Sequence, residues 1–248
     1  MESKEVIIEV DNLVKKFGNF VANDNLTFRV YKGEIFGFLG ANGAGKTTAI
    51  RIMSGLLEPT SGKITVAGFD AYHQRDLIKA NIGYMSQKFS LYDDLTVREN
   101  IRFFGGIYGL NRKVLRARID ELLSDLKMTE FKDELISSLP LGWKQRLSFS
   151  IAMIHSPQII FLDEPTGGVD PITRRSFWEM IHLVASKGTT VFVTTHYMDE
   201  AEYCDRVTIM VDGRIEALDT PANLKQTFNA NSMDEVFVML ARKGKSVA

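Results

Sequence analysis

The chain has 248 residues, of which 45% are hydrophobic, and its 30 basic and 31 acidic side chains leave a formal net charge of -1. This length allows one large or two small domains with a substantial core, and the balanced charge gives no reason to expect nucleic acid as a partner. The single cysteine, Cys204, cannot form an internal disulfide, so we expect a reducing compartment. No signal segment is evident, and no apolar run reaches the roughly 18 to 20 residues that span a bilayer. We therefore expect any membrane role to depend on a partner.

The N-terminal part reads as strands and turns. Hydrophobic alternation predicts strands at residues 6–10, 26–30 and 63–66, which together indicate an antiparallel sheet. Phe17 lies between the first two of these strands. On its own Phe17 fits a core position, although an aromatic ring here could also stack on the face of an adenine.

A predicted strand at residues 35–39 leads into the loop G-A-N-G-A-G-K-T-T and then into a helix. This loop, residues 40–48, matches the pattern G-x-x-x-x-G-K-T. Its glycines allow successive backbone N–H groups to face inward, and the positive end of the helix dipole adds to a pocket for phosphate oxygens. A glycine turn ahead of a core helix is the alternative, but such a turn does not require lysine and a hydroxyl at fixed offsets.

The loop pattern also predicts the role of single residues. We expect Lys46 to reach the β and γ phosphates of a nucleoside triphosphate from a position outside the core. We expect the Thr47 hydroxyl to hold Mg²⁺, which prefers hard oxygen ligands. The residues of this loop predicted to bind nucleotide are Gly40, Asn42, Gly43, Ala44, Gly45, Lys46, Thr47 and Thr48.

Gln87 follows a predicted strand at residues 81–85. It should therefore lie at the carboxyl edge of the sheet, where ligands bind in α/β proteins. At that edge Gln87 is a candidate ligand of Mg²⁺ or a participant in the reaction. A solvated loop amide is the alternative when the residue is considered alone.

From residue 88 to about residue 156 helical patterns prevail, which predicts a helical subdomain inserted in the fold. Thr96 and Glu99 have the spacing of a capping box, and Asn111 can cap a helix that runs to about residue 127. Five aromatic residues here are assigned to a core, with a surface groove for a partner helix as the alternative. These residues are Phe89, Tyr92, Phe103, Phe104 and Tyr108.

An apolar strand at residues 158–162 ends in two carboxylates, Asp163 and Glu164, as expected for a central parallel strand. Strand alternation predicts that the two side chains point to opposite sides. One could then hold Mg²⁺ while the other faces the γ-phosphate and an attacking water. A strand that simply ends in solvated acids is the alternative.

The next segment predicts another helix and strand. Asp170 and Pro171 have the pattern of a cap and a first helical residue, and Gly188 marks the end of that helix. A strand at residues 190–194 follows, with His196 just beyond it. A lone histidine is usually structural, but His196 joins Gln87 and the two carboxylates at the carboxyl edge of one sheet.

The C-terminal part predicts a hairpin and a final helix. Asp212 and Gly213 form a tight-turn signal between strands at residues 207–211 and 214–217, and Ser232 can cap the last helix. Neither a low-complexity linker nor an internal repeat is evident. We therefore predict one domain over residues 1–248, with residues 88–156 inserted in it.

Together these motifs resemble the nucleotide-binding domain of ABC transporters over essentially the whole chain. The resemblance implies an α/β fold: a P-loop NTPase (RecA-like) core with an N-terminal antiparallel β subdomain and an inserted helical subdomain. In that family the residue matched by Glu164 polarises the hydrolytic water, the one matched by His196 contacts the γ-phosphate, and two domains sandwich two ATP molecules. The remaining motif positions are Phe17 for adenine stacking, residues 40–48 for Walker A, Gln87 for the Q-loop, residues 159–164 for Walker B and Asp170 for the D-loop.

Two segments depart from the usual pattern of the family. The signature, normally L-S-G-G followed by (Q/W/M)-K-Q-R, here reads L-P-L-G-W-K-Q-R over residues 139–146. Pro140 therefore replaces a serine and Leu141 a glycine, while Gly142 is retained for close approach to phosphate. The D-loop reads G-G-V-D over residues 167–170 instead of S-G-L-D or S-A-L-D. Both changes, together with the run Y-M-D-E-A-E over residues 197–202 after His196, resemble prokaryotic ABC-2 type exporters, including multidrug exporters.

The resemblance implies an ATP-hydrolysing, Mg²⁺-dependent subunit of an ABC exporter. Such a subunit is cytoplasmic, lies on the inner face of the cell membrane, and works with integral membrane permease subunits and a second ATP-binding domain in a homo- or heterodimer. Nucleic acid is not an expected partner. The alternatives are a soluble ABC ATPase of iron–sulfur assembly or of the ribosome, and a non-hydrolysing ATP-dependent regulator.

Overall fold

The computed structural model describes residues 4–87 and 90–245. Among these residues, the strands in chain order are β1 (Val6–Phe17), β2 (Phe20–Tyr31), β3 (Ile35–Gly40), β4 (Ser61–Val66), β5 (Phe69–Asp70), β6 (Ile82–Met85), β7 (Ile159–Asp163), β8 (Thr190–Thr195), β9 (Arg206–Val211) and β10 (Arg214–Asp219). The helices are α1 (Lys46–Met53), α2 (Arg75–Asn81), α3 (Val97–Ile107), α4 (Arg112–Asp125), α5 (Leu141–Ala152), α6 (Pro171–Ser186), α7 (Pro221–Thr227) and α8 (Met233–Lys245).

The strands form two sheets. The N-terminal sheet is antiparallel, as predicted, with the order β2-β1-β4-β5. The second sheet has the order β10-β9-β3-β8-β7-β6, and its pairs are parallel except for the hairpin of β9 and β10. Every residue of β3, β7 and β8 is buried, which explains their continuous apolar runs. The carboxyl ends of β3, β6, β7 and β8 meet at one edge of this sheet.

The helix starts agree with the predicted caps. Thr96 and Glu99 form the complete capping box of α3, Asn111 accepts from the N–H of Val114 at the start of α4, and Asp170 caps α6. The sequence prediction missed α2 and α7, which have only 7 residues each and show little periodicity.

Three hydrophobic clusters hold these elements together. In the first, α1 packs between the two sheets, where Phe28, Phe36, Phe38 and Phe192 have ring centroids 5.3 to 6.2 Å apart. In the second, α6 and α8 cover the other face of the parallel sheet. The third joins α3, α4 and α5, so the predicted helical insert has an apolar cluster of its own.

The aromatic residues of this insert differ from the prediction. Tyr92 and Phe103 are 45% and 42% exposed, so their assignment to a core was wrong. Phe104 and Tyr108 are partly buried against the third cluster. Phe89 lies outside the described residues. Across the parts of the chain that the structure describes, no helix is both long and apolar enough to cross a bilayer.

Candidate functional site

The loop between β3 and α1 is held close to its neighbours by backbone contacts. A Cβ at Gly40 would lie 2.6 Å from the carbonyl oxygen of Met210, and one at Gly45 would lie 2.3 Å from that of Ala22. Gly45 also has a φ of 99°, which disfavours any side chain. The loop can therefore approach β2 and β9 this closely only with glycine at both positions.

The other loop residues differ in their exposure. Asn42 and Gly43 are exposed at the tip, and a Cβ at Gly43 would meet no atom within 4 Å, so open space lies beside the loop. Ala44 is buried, and its carbonyl oxygen accepts a hydrogen bond from the N–H of Gly213. Thr48 is half-buried in the first turn of α1.

Lys46 is the first residue of α1, and its side chain turns back over the loop. Its Nζ donates hydrogen bonds to the carbonyl oxygens of Gly40 at 2.8 Å and Ala41 at 3.1 Å, and lies 3.3 Å from Oε1 of Glu164. Lys46 is only 4% exposed, so the expectation that it lies outside the core was wrong. Burial lowers the pKa of Lys46, and the carboxylate of Glu164 opposes that shift.

Asp163, at the end of β7, lies beside the hydroxyl of Thr47, which follows Lys46 in α1. Its Oδ1 accepts hydrogen bonds from Oγ1 of Thr47 at 3.2 Å and from Oγ1 of Thr194 at 2.6 Å. Burial raises the pKa of Asp163, while these two hydrogen bonds lower it. The carboxylate of Asp163 thus accepts hydrogen bonds from two hydroxyls, and one of them belongs to the exposed residue Thr47.

Glu164 contacts three further polar side chains at the carboxyl edge of the sheet. Its Oε2 accepts a hydrogen bond from Nε2 of Gln87 at 2.9 Å and lies 3.1 Å from Nδ1 of His196, while Oε1 faces Lys46. Glu164 has a φ of 48°, so the chain leaves the strand geometry at this residue. Asp163 contacts Thr47 and Glu164 contacts Lys46, so the two carboxylates reach consecutive residues of α1, and their orientation to opposite sides stays a prediction.

Phe17 lies apart from this cluster, at the tip of the β1–β2 hairpin. Its ring is 49% exposed, and Nζ of Lys15 lies 4.9 Å from the ring centroid. The core assignment of Phe17 was therefore wrong. The stacking role that the resemblance implies remains compatible with an exposed ring.

Gly142 and Asp170 come together at a second place. Pro140 precedes α5 and makes no side-chain cap, and its carbonyl oxygen accepts from the N–H groups of Trp143 and Lys144. A Cβ at Gly142 would lie 2.9 Å from Cγ2 of Thr173, a residue whose N–H donates to Oδ1 of Asp170 at 3.0 Å. A Cβ at Gly168 would lie 3.8 Å from Cδ2 of Leu141, so the two altered segments lie close together within one chain.

Sequence reasoning missed four polar contacts near the site, made by Thr194, Thr166 and Gln145. Thr194 orders Asp163 and also accepts a hydrogen bond from the N–H of Glu164 at 3.0 Å. Thr166 donates to the fully buried Glu200, and Gln145 donates to the carbonyl oxygen of Pro165. Thr194 could have been found, because it ends the predicted strand at residues 190–194, which is adjacent to β7. The contact of Thr166 with Glu200 has no local signal.

A family model described as ABC transporter matches residues 23–167, more than half of the chain. The chain belongs to the ABC transporter family. Among curated relatives, the probable multidrug ABC transporter ATP-binding protein YbhF of Escherichia coli (strain K12) is 47% identical over 241 residues. That match covers 95% of this chain but 42% of YbhF, so the chain spans about two fifths of that relative. The daunorubicin resistance ATP-binding protein DrrA3 of Streptomyces coeruleorubidus is 35% identical over 245 residues, covering 98% of this chain and 78% of DrrA3.

A solved ABC structure has the same fold. It is a dimeric ATP-binding cassette, MJ0796, in a post-hydrolysis state with ADP and phosphate, and it aligns with a TM-score of 0.76 and 26% identity over 86% of this chain and 98% of that chain. The predicted P-loop NTPase core, N-terminal antiparallel sheet and helical insert are thereby confirmed as the fold of an ABC ATP-binding domain. The predicted family and ATP binding are confirmed as well.

Proposed function

We propose that this ABC domain hydrolyses ATP to drive an exporter whose membrane subunits are separate proteins. The observation that carries this proposal is the Glu164 carboxylate, which is shared by Lys46, Gln87 and His196 beside the phosphate loop. A carboxylate in contact with a phosphate-binding lysine, an amide and an imidazole has the groups needed to orient a water for attack on a terminal phosphate. A non-hydrolysing regulator would not need this arrangement.

ATP fits the loop because open space lies beside Gly43 and because the first N–H groups of a helix such as α1 have no partner within the helix. In this proposal Lys46 leaves Glu164 for the β and γ phosphate oxygens. Oε1 of Glu164 is then free to accept a proton from the attacking water, while Gln87 and His196 hold Oε2. Phe17 offers its exposed ring to the adenine face.

Mg²⁺ fits the hard oxygen groups at Thr47. The hydroxyl of Thr47 and the carboxylate of Asp163 would hold the ion, and Gln87, whose N–H donates to Glu164, would offer its carbonyl oxygen. A bound Mg²⁺ neutralises charge on the phosphate oxygens. Thr194 fixes the carboxylate of Asp163 in place for this role.

Two further surfaces support a partnered protein. The start of α5, with Leu141 44% exposed, would serve the nucleotide of a second domain, as the dimeric relative suggests. An apolar groove of about 270 Å³, whose lining includes Leu56, Tyr84, Ile107 and Tyr108, opens between β6 and the helical insert. We propose that a helix of a permease subunit docks there, on the inner face of the cell membrane.

The names of YbhF and DrrA3 favour an exporter of drug-like compounds over a soluble ABC ATPase. The test is recovery of partners from detergent-solubilised membranes with the tagged chain. Ile107, which is 62% exposed and lines the groove, is changed in Ile107→Glu, and Val114, 42% exposed on α4, is changed in the matched control Val114→Glu.

An integral membrane protein should be recovered with the wild type and with Val114→Glu, and lost with Ile107→Glu. Recovery of ribosomes or of a soluble scaffold in its place would overturn the exporter. Equal recovery of a membrane protein with both variants would overturn the groove as the docking site.

A further inference from the structure

A second set of buried polar contacts lies directly behind the candidate site. Thr166, two positions after Glu164, donates a hydrogen bond from Oγ1 to Oε1 of Glu200 at 2.6 Å. Glu200 is fully buried, and its Oε2 has no hydrogen-bond partner in the described part of the chain. A buried carboxylate of this kind needs a cation close by, because burial disfavours its charge.

Arg174, in the first turns of α6, is the cation that lies there. Its Nε is 3.7 Å from Oε1 of Glu200 and its Nη1 is 3.6 Å from Oδ2 of Asp199. Within the described ranges, no other cationic side chain forms an ion pair with Glu200. Arg174 thus links α6 to the segment that follows β8.

The same guanidinium also stacks on an aromatic ring. Its central carbon lies 4.1 Å from the ring centroid of Tyr197, a distance at which the cation is attracted to the ring face. The ring centroid of Tyr197 also lies 4.2 Å from that of His196, with 35° between the two planes. Tyr197 is therefore in contact with both His196 and Arg174.

These contacts form a network that begins and ends near Glu164. His196 faces Glu164, and Thr166, close behind Glu164, donates to Glu200, the carboxylate that pairs with Arg174. Because no hydrogen bond or ion pair joins Arg174 to the phosphate loop among the described residues, we expect it to influence the reaction through the residues that it supports. A planar guanidinium can stack and pair at once, which a lysine ammonium cannot reproduce.

We infer that Arg174 is a positioning residue, which holds Tyr197 against His196 and thereby fixes the imidazole beside Glu164. This inference rests on the proposed role of His196 in ATP hydrolysis. A misplacement of about 1 Å in a reacting group can cost on the order of 100-fold in rate. Loss of Arg174 should therefore lower kcat while ATP affinity changes little.

The test uses the full chain with Arg174→Ala, Arg174→Lys and the matched control Arg175→Ala. Arg175 is the next residue of the same helix, but its side chain is 81% exposed and its ion pair with Glu179 is long, at 3.8 Å. We expect Arg174→Ala to lower kcat by about 10-fold or more, with ATP affinity within about 2-fold of the wild type. Arg174→Lys should recover only part of this loss, and Arg175→Ala should match the wild type.

A double-mutant cycle separates positioning from general damage. In a His196→Ala background, Arg174→Ala should lower kcat by less than about 2-fold further, because residues that act as a unit are not additive. Thermal unfolding of each variant reports any loss of fold. The histidine NMR spectrum gives a readout without ATP: of the chain's 4 histidines, the one removed by His196→Gln should shift in Arg174→Ala and not in Arg175→Ala.

The outcomes distinguish this inference from the proposed function. An unchanged kcat in His196→Ala would overturn the role of His196 in hydrolysis. A low kcat in His196→Ala with an unchanged kcat in Arg174→Ala would overturn the inference alone. Full additivity in the double variant, or an unmoved His196 resonance in Arg174→Ala, would also overturn it.

Discussion

Two helix starts in this chain face open space, and they differ in what surrounds them. At the start of α1, Lys46 and Thr47 are in contact with Glu164 and Asp163, so the polar groups there find partners within the chain. At the start of α5, Pro140 makes no side-chain cap and Leu141 is exposed. The first start has charged and hydroxyl side chains in contact with carboxylates, whereas the second offers little besides backbone N–H groups.

This difference indicates that the proposed site has two parts, one at the start of α1 and one at the start of α5. Buried charges require partners, and in α1 they have them without help from another molecule. A bare helix start can stay exposed without such partners because water satisfies its N–H groups. We therefore expect changes near α1 to affect the chemistry of one chain, and changes at α5 to affect only its association with a second domain.

The largest expected effect is on turnover. Glu164→Gln removes the base while keeping the shape of the side chain, so kcat for ATP should fall by about 100-fold or more. ATP affinity should be retained, because Lys46 loses its anionic competitor for the phosphates. Steady-state ATPase activity and equilibrium ATP titration measure the two effects. Unchanged turnover would remove Glu164 from the mechanism.

The next effect is on nucleotide affinity. Lys46→Met keeps most of the side-chain volume but removes the charge, so ATP should bind about 10- to 100-fold more weakly, as expected for one hydrogen bond to a charged group. Titration with a fluorescent ATP analogue measures it. Lys63→Met, at an exposed position, controls for the loss of one positive charge. Equal affinity in Lys46→Met and the wild type would contradict the assignment, provided that circular dichroism shows a folded variant.

A smaller effect is expected at the start of α5. Gly142→Asp is not a clean test, because a Cβ there would press on Thr173 of the same chain. Leu141→Asp is cleaner, since an acidic residue in the first turn suits the helix dipole but opposes a partner's phosphates. In a Glu164→Gln background we expect ATP-dependent dimers to weaken by about 10-fold or more, as for two like charges near a surface.

The uncharged variant Leu141→Asn is the matched control and should still dimerise with ATP. Mass measurement in solution, with and without ATP, decides between them. Equal dimers in both variants would mean that the start of α5 does not face a partner's nucleotide.

The sequence predicted the region of α1 better than the helical insert, for physical reasons. The residues Gln87, Glu164 and His196 each follow a parallel strand, and such strands end at one edge, so their gathering was predictable. The contacts of Glu164 were not, because its left-handed φ of 48° breaks the strand alternation. Lys46 is buried because its side chain folds back over the loop, and no sequence pattern predicts that conformation.

The helical insert was less predictable because hydrophobicity does not reveal which side of a helix is covered. Tyr92, just before α3, and Phe103, on α3, carry large aromatic rings like those of the core, yet they remain exposed. The lengths of β1 and β2 were underestimated because register shifts interrupt their alternation. The contact between Gly142 and Thr173 joins residues far apart in sequence, so no local signal could predict it.

The smallest effect is expected at His155, which lies between the helical insert and β6. Its ring stacks on Tyr108 with centroids 3.8 Å apart, and Nε2 lies 3.0 Å from the carbonyl oxygen of Ile82 on β6. Nδ1 is buried without a hydrogen-bond partner in the described part of the chain, and burial lowers the pKa of His155 below the ordinary value of 6.5. The native protein therefore resists protonation of a ring that the unfolded chain protonates freely.

As the pH falls below the ordinary histidine pKa, the unfolded state binds more protons at this position, so the free energy of unfolding should fall until the folded-state pKa is reached. One proton limits this contribution to about 1.4 kcal/mol per pH unit. His155→Gln retains a donor for Ile82 but cannot titrate, so its unfolding free energy should depend less on pH in this range. His73→Gln, at an exposed position, should keep the wild-type slope. Denaturant unfolding at pH values from about 7 to 5 measures the slopes, and equal slopes in His155→Gln and the wild type would exclude His155 as the group that makes this joint sensitive to acid.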